Sequence, residues 1–434
     1  MKQKLRKAIS LLVAMMLVLG FTACGSGGNT PSAGSTAAEG GSNNNVTLTF
    51  GGISDWFNDS VKDVLDKFEK KTGTKVDVQL VSTQEADTII QTKLATNECY
   101  DLFFEHGGGY AYTWFRPQAN CVDLSNEPWA GNVNKGIRDS MLDIEGKLYF
   151  LPLGVNTLGI VYNKDIYAKL GLSVPTTWDQ MLENCAAIKN AGYTPFFLAA
   201  KDVWPITAWP FAEFPYANQR DPELMDKINT NQIKFSDVPE LTNSGKRLQD
   251  LKQRGFFQEN ELSSTYDQAV EAFGTGKVAM LCIVDSFAND VTKKYPDLKF
   301  GGFPIPLGDN PVVTAINPRS MFIWKGTSHL DQAKELLSFI AEKDNYTSIM
   351  EGNPSIPCMD GIDVKLNPAA QDYLPYREKG NFITIFEELI VVGIDESLRE
   401  SCQDVISGAD ASELGKQMDN AFQKNAKAQK IKGF

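Results

Sequence analysis

The stretch that decides the fold is LGIVYNKDIYAKLGLSVPTTWDQMLENCAAIKNAG, residues 158–192. Residues 158–163 are typical of a β-strand, and the apolar side chains from position 178 onward recur at helical spacing. These apolar positions share one face of the predicted helix: Trp178, Met181, Leu182, Cys185 and Ile188. Thr177 and Gln180 form a capping box at the helix start, and Gly192 ends it. A second strand-like run, TPFFLAA (194–200), follows directly.

The same alternation of strands and helices occurs on both sides of this stretch. VTLTF (46–50) and KVDVQLV (75–81) alternate as strands do, and helical periodicity lies between them. A helix is predicted over 86–96, and a further strand at 100–104. Strand, helix and strand at this spacing favour a βαβ unit with a parallel sheet.

Further along the chain, KVAMLCIV (277–284) is almost wholly apolar, as a strand covered on both faces would be. A helical stripe follows Ser328, and the chain from about Glu387 onward is predicted to be mostly helical. Without residues 1–45, roughly 390 residues remain, too many for one simple core. The sequence therefore predicts an α/β protein with two lobes.

The N-terminus has the pattern of an export signal that ends at a cysteine. Four basic residues between positions 2 and 7 precede an apolar run over 8–21, which is too short to span a bilayer. This start resembles a bacterial lipoprotein signal, in which Cys24 becomes the acylated N-terminus. Residues 25–45 are Gly, Ser, Asn, Thr and Ala with few others and predict a flexible tether. The alternative is an ordinary secreted protein with a stray cysteine.

Charge and cysteine content exclude several classes of partner and site. Without residues 1–23, 38 basic residues face 54 acidic ones, a net charge of −16 that disfavours nucleic acid and anionic lipid as partners. Six cysteines remain after Cys24, without a C-x-x-C or C-x-x-H pair, so no zinc site is expected. A disulfide between Cys99 and Cys121 is conceivable.

Several blocks together resemble a known family. They are FEKKTGTKVDVQLV (68–81), residues 147–192, AFGTGKVAMLCIV (272–284), KFGGFPIPLGDNP (299–311) and AKELLSFIAEKDN (333–345). In this order, and with the lipoprotein start, they are similar to the family 1 extracellular solute-binding proteins. These are the capture subunits of carbohydrate-importing ABC transporters, the family that includes maltose-binding protein.

The resemblance implies a periplasmic-binding-protein-like fold, with two α/β lobes, hinge strands and a ligand cleft between the lobes. The expected division is a signal at 1–23, the lipidated Cys24 and tether at 24–45, lobe one at 46–154 plus 288–327, and lobe two at 155–287 plus 328–434. Ligand contacts both lobes only when the cleft is shut, so binding favours the closed form.

A sugar-binding cleft needs aromatic side chains that stack on the sugar and fixed hydrogen-bonding groups, both near the C-terminal ends of strands. In lobe one, this places Asp55 and Trp56 after the first strand. Glu105 and His106 end the third strand, and the glycines after them allow a backbone to approach a ligand closely. By the resemblance, Asn156 at the crossover strand is a polar contact.

The remaining candidates follow strands of lobe two or lie at the crossover. Trp204 is the best candidate for stacking on a sugar. Asp285 could bind hydroxyl groups, and Phe287 corresponds to an aromatic residue that stacks on sugar in the family. Arg319 could reach into the cleft or pair with an acid.

These observations predict a binding protein for a sugar or oligosaccharide, not an enzyme, with no cofactor or metal. The expected partners are a small carbohydrate and the permease subunits of an ABC transporter, with the lipid anchor holding a monomer on the outer face of the cytoplasmic membrane. A non-sugar solute, a lipid-anchored glycan hydrolase and a surface carbohydrate adhesin remain as alternatives. A hydrolase needs only two carboxylates, which composition cannot exclude.

Overall fold

The computed structural model describes residues 46–138 and 146–434. The predicted signal at 1–23, the tether at 24–45 and Cys24 lie outside the described residues. Within the described ranges, no helix combines the length and the apolar character needed to cross a bilayer.

Strands and helices alternate over most of the described chain. The strands are β1 Thr47–Ile53, β2 Lys75–Val81, β3 Leu102–His106, β4 Phe150–Asn163, β5 Thr194–Phe196, β6 Val278–Val284, β7 Phe300–Phe303, β8 Val313–Ile323, β9 Ile356–Pro357 and β10 Phe382–Thr384. The α-helices are α1 Asp59–Thr72, α2 Thr83–Ala95, α3 Gly108–Trp114, α4 Pro117–Asn120, α5 Lys135–Ile137, α6 Lys164–Leu170, α7 Trp178–Asn190, α8 Ala208–Arg220, α9 Leu224–Asn229, α10 Pro239–Gln253, α11 Tyr266–Gly274, α12 Ser286–Lys294, α13 Leu330–Ala341, α14 Lys343–Gly352, α15 Pro368–Glu378, α16 Asp395–Ser407 and α17 Glu413–Ala428. Short 3-10 helices cover Ser54–Trp56, Ala130–Asn132, Ala200–Asp202, Trp204–Thr207, Phe235–Asp237, Glu261–Ser263 and Phe386–Glu388.

One sheet runs through the described part of the chain in the order β2-β1-β3-β8-β4-β6-β5. β1 pairs in parallel with both β2 and β3, which confirms the predicted βαβ start. β8 is antiparallel to β3 and to β4, and β4 is antiparallel to β6. β7 and β9 add to β4, and β10 adds to β8.

The quoted stretch forms the elements that its pattern predicts. In α7, Met181, Cys185 and Ile188 are buried, and the Thr177 side chain accepts a hydrogen bond from the N–H of Gln180. The second half of the capping box differs, because Gln180 accepts from Thr176 rather than from Thr177. The predicted strand at 194–200 is shorter than expected and ends at Phe196.

Apolar side chains gather in two cores, which define the two lobes. The first core contains residues of β1, β3, α1, α13 and the N-terminal half of β4. The second core contains residues of β5, β6, α8, α10, α16, α17 and the C-terminal half of β4. A smaller cluster around α11 and α12 extends the second lobe. Helices and sheet therefore bury their apolar faces in separate places joined by shared strands.

β4 carries the chain from one core to the other. Phe150, Leu153 and Val155 belong to the first core, whereas Leu158 and Ile160 belong to the second. The polar Asn156 and Thr157 lie between them, and the pairing of β4 with β8 shifts register between Pro152 and Asn156. Such irregular pairing bends a strand. This segment is therefore the structural hinge.

The predicted lobe boundaries stay a prediction, and the packing differs from them in two places. α13 and α14, from the range 328–434, contribute Leu336 and Ile349 to the first core. β7, from the range 288–327, contributes Phe300 and Phe303 to the second lobe. The chain therefore returns to the first lobe after β8, before its C-terminal helices join the second.

Cysteine side chains act as apolar packing residues in the described part of the chain. Cys121, Cys185, Cys282, Cys358 and Cys402 are buried, and Cys99 is partly exposed. Cys99 and Cys121 are both free thiols, so the conceivable bridge between them is absent from this structure.

We expect Gly154→Ala to destabilise the hinge. A Cβ at this position would clash with the Ser355 hydroxyl oxygen and lie 2.6 Å from the Met350 methyl carbon, so these two buried side chains would have to move. Overpacking of this kind costs about 1–3 kcal/mol, which thermal unfolding would detect. Gly131→Ala is the control, because nothing lies within 4 Å of the added carbon. Equal melting temperatures for both variants would contradict the expectation.

Candidate functional site

The first lobe presents a row of aromatic rings where its parallel strands end. Trp56 follows β1 and His106 ends β3, and their ring centroids are 4.6 Å apart. The row continues to Tyr110, 5.3 Å from His106, and to Trp114, 5.7 Å further on. Because parallel strands end at one edge of a sheet, residues distant in sequence meet here. We call Trp56, His106, Tyr110 and Trp114 the aromatic row.

The glycines before α3 serve packing as well as loop geometry. A Cβ at Gly107 would lie 2.3 Å from the Ser320 hydroxyl oxygen, so only glycine lets α3 approach β8 this closely. Gly108 has a φ of +68°, which favours glycine. The close approach predicted for a ligand is therefore made here by a neighbouring strand.

Glu105 lies beneath this surface, and the ring of His106 belongs to the row itself. Glu105 is 1% exposed and accepts the backbone N–H of His106 at 2.8 Å. Burial, with the nearby charge of Asp87, raises the pKa of Glu105 well above its usual value. Burial, with Arg319 and Arg399 nearby, lowers the pKa of His106 to about 3, so its imidazole is neutral at physiological pH.

Asn156, Asp285 and Arg319 lie at the hinge. Asp285 is fully buried and accepts the Thr157 hydroxyl at 2.6 Å. Arg319 donates to the Asn353 carbonyl at 2.7 Å and to the Ser355 hydroxyl at 3.1 Å. Burial raises the pKa of Asp285 to about 7 and lowers the pKa of Arg319 to about 10.

Several predicted residues hold buried polar atoms that have no hydrogen-bond partner among the described residues. These atoms are Glu105 Oε2, His106 Nδ1, Asn156 Oδ1, Asp285 Oδ1 and Arg319 Nε. Buried polar atoms are usually paired, so such atoms need an explanation. Five of them on neighbouring strands of the cleft indicate a place where a polar ligand could bind.

The second lobe contains an aromatic pair, Trp204 and Tyr266. Trp204 and Tyr266 have ring centroids 5.5 Å apart, and the Tyr266 hydroxyl donates to Asp290 at 2.7 Å. Asp55 is exposed in the first lobe, yet it is near enough to add to the pKa rise of Tyr266, which burial, Asp290 and Asp267 mainly cause. Asp55 of the first lobe therefore lies near Tyr266 of the second lobe, which packs on the predicted Trp204.

Phe287 does not face this cleft. Its side chain is fully buried and packs edge-to-face against Tyr266 at 5.8 Å and Phe273 at 5.6 Å. This position does not fit the predicted stacking role. Phe287 instead supports the Tyr266 ring from behind.

Sequence reasoning missed a group of charged residues contributed by both lobes. The Tyr110 hydroxyl donates to Asp87 at 2.6 Å in the first lobe, and Arg399 donates to Asp395 at 2.6 Å in the second. Burial raises the pKa of Asp87, and the hydrogen bond from Tyr110 opposes this rise. Among the charges of the second lobe, Asp395 raises the pKa of Asp87 and Arg399 lowers it. The i,i+4 spacing of Asp395 and Arg399 was the available signal, but it occurs on many helix surfaces.

The two lobes touch along one rim of the cleft. The Thr113 hydroxyl donates to the Ile390 carbonyl at 3.4 Å, and Arg116 donates to the Gln429 side chain at 3.0 Å. A Cβ at Gly393 would lie 3.6 Å from the Trp114 ring. These contacts join elements of different cores, so the two lobes touch at this rim.

Comparisons with known proteins agree with this architecture. The sequence model described as bacterial extracellular solute-binding protein matches residues 54–347. The chain belongs to this family. It is 24% identical over 288 residues to a multiple sugar-binding protein of Streptococcus mutans, covering 65% of this chain and 67% of that one. It is 23% identical over 284 residues to the melibiose/raffinose/stachyose-binding protein MelE of Bacillus subtilis, covering 62% and 64%.

A solved structure shares the fold of this solute-binding protein. The binding protein RafE, in complex with raffinose, superposes with a TM-score of 0.76 at 20% identity, over 87% of this chain and 99% of that one. At this identity the likeness concerns the fold, two lobes with a cleft between them. Family membership also implies a location outside the cytoplasm.

Proposed function

We propose that this solute-binding protein captures a sugar or oligosaccharide between its lobes and delivers it to an ABC permease. The observation that carries the proposal is the aromatic row of the first lobe, with buried unpaired polar atoms on the strands beside it and the Trp204–Tyr266 pair in the second lobe. The names of the relatives, which bind multiple sugars, melibiose, raffinose and stachyose, support the same class of ligand.

The chemistry of a sugar matches these groups. Pyranose rings have apolar C–H faces that pack on aromatic side chains, and their hydroxyls donate and accept hydrogen bonds. Glu105 Oε2 and Asn156 Oδ1 could accept from hydroxyls, and Arg319 Nε could donate to them. Since these atoms lie where the lobes meet, a bound sugar would favour the closed arrangement.

We also propose that Cys24 is acylated and that residues 25–45 tether a monomer to the outer face of the membrane. The basic head, the apolar run and the cysteine after small residues support this. Tethering would keep the receptor at high effective concentration near its permease. The receptor would then act without catalysis.

Trp56→Ala tests the proposed function. We expect the wild-type protein to bind at least one neutral sugar from a panel of melibiose, raffinose, stachyose and chitobiose in isothermal titration calorimetry. Loss of the Trp56 ring should weaken that binding by about 10- to 100-fold, because the plate that packs on the sugar is removed.

Trp178→Ala is the matched control, because this half-buried tryptophan packs on Trp209 in the second lobe, away from the aromatic row. It should bind sugar as the wild type does. Hydrolysis of a sugar in the panel, or full affinity of the Trp56 variant, would overturn the proposal.

A further inference from the structure

Helix α16 brings polar residues to the cleft from a part of the chain beyond the family match. That match ends at residue 347, whereas α16 begins at Asp395. The segment just before α16 rests on the first lobe, where Thr113 bonds to Ile390 and Trp114 lies next to Gly393. The first turns of α16 are therefore held at the rim of the cleft.

The guanidinium group of Arg399 is held by an ion pair, and its side chain is partly exposed. Its Nη2 donates to Asp395 Oδ2 at 2.6 Å; the Asp395 side chain is 6% exposed and that of Arg399 is 40% exposed. A guanidinium group has five N–H donors in a fixed plane. The bond to Asp395 fixes that plane and leaves other donors directed away from the helix.

The groups that face Arg399 belong to the first lobe. Asp87, His106 and Tyr110 all lie within range of its charge, although they come from α2, β3 and α3. In the second lobe, Asp395 and Glu387 are its neighbours. Arg399 therefore lies close to His106 and Tyr110 of the aromatic row.

We propose that Arg399, positioned by Asp395, binds the ligand from the second lobe by donating hydrogen bonds to hydroxyl oxygens of a sugar packed on the aromatic row. This inference rests on the proposed function. Because Asp395 already pairs with Arg399, the site accepts a ligand without net charge. A carboxylated sugar would compete with this carboxylate.

Titration calorimetry with raffinose, or with the tightest-binding sugar of the panel above if raffinose is not bound, tests this inference on the full chain. We expect Arg399→Gln to weaken binding by at least about tenfold, because a hydrogen bond to a charged donor is lost. The affinity of Arg399→Lys should lie between those of the wild type and Arg399→Gln, because lysine keeps the charge but lacks the planar guanidinium group. Glu396→Gln, an exposed neighbour on the same helix, should bind as the wild type does.

Asp395 is a positioning residue, so its effect should depend on Arg399. Asp395→Asn should weaken binding in the wild-type background and add nothing in the Arg399→Gln background. The double variant leaves no buried charge unpaired, so it also controls for loss of folding. If the wild type binds sugar and Arg399→Gln binds it equally well, the inference alone fails; if the wild type binds no sugar, the proposed function fails with it.

Discussion

Arg319→Met is expected to lower the free energy of unfolding by about 3–5 kcal/mol, because it removes a buried guanidinium group together with the hydrogen bonds that it donates. Arg319 is 5% exposed, and its charge acts on the fully buried Asp285, where it opposes the rise in pKa that burial causes. The variant would also leave the Asn353 carbonyl and the Ser355 hydroxyl without the donor that Arg319 supplies. Urea unfolding followed by circular dichroism would measure the loss as a lower midpoint at unchanged slope.

Two further variants separate the buried charge from other effects. Arg254→Met removes an arginine whose side chain is 50% exposed and pairs with Asp250 one turn away, so its cost should stay below about 0.5 kcal/mol. Adding Asp285→Asn to Arg319→Met also removes the nearby buried carboxyl group, whose charge Arg319 partly balances, and should recover part of the loss. If Arg319→Met costs no more than Arg254→Met, the hinge does not depend on the bonds that Arg319 makes.

The position of Arg319 explains why its role could not be read from the sequence. It lies in β8, opposite His106 of β3 and Gly154 of β4. The sequence left open whether it reaches into the cleft or pairs with an acid. The structure shows it bonded to the Asn353 carbonyl and the Ser355 hydroxyl, and its buried Nε has no hydrogen-bond partner among the described residues.

Parallel strands made part of the site predictable. Trp56, Glu105 and His106 follow or end β1 and β3, and the C-terminal ends of parallel neighbours must lie side by side. Phe287 was predicted from the family resemblance, and its burial does not fit the stacking role that the resemblance implies. Phe287 lies in the first turn of α12 and points into the core.

Other parts of the site depend on contacts that no local pattern shows. β4 begins at Phe150, eight residues before the strand that periodicity predicts, because Pro152 and Gly154 interrupt the apolar pattern where the strand changes register. Arg399 reaches the cleft only because the chain returns to the second lobe after α14. Long-range packing of this kind fixes where these residues lie in the fold, but it leaves no periodic pattern in the sequence.

The second lobe is expected to become less stable as the pH rises, because the folded state binds a proton at Glu213. Glu213 is fully buried in α8 and accepts a hydrogen bond from Arg247 at 2.7 Å. Burial raises its pKa to about 8 from 4.5; Arg247 opposes the shift and Glu240 adds to it. The folded state therefore keeps a proton that the unfolded chain has lost. The resulting stability is fully present below pH 4.5 and is lost as the pH rises through about 8.

Between pH 5 and pH 9, this group should lower the free energy of unfolding by roughly 4 kcal/mol. Glu213→Gln keeps an oxygen acceptor for Arg247 without a titrating group, so it should flatten the pH dependence measured by urea unfolding. A smaller slope of the same sign should remain, because burial also raises the pKa of Asp285, to about 7. Glu183→Gln, an exposed change on α7, should keep the wild-type slope. A Glu213→Gln curve as steep as that of Glu183→Gln would show that the proton is bound elsewhere, and the buried pair with Arg247 would then have to be ionised throughout this range.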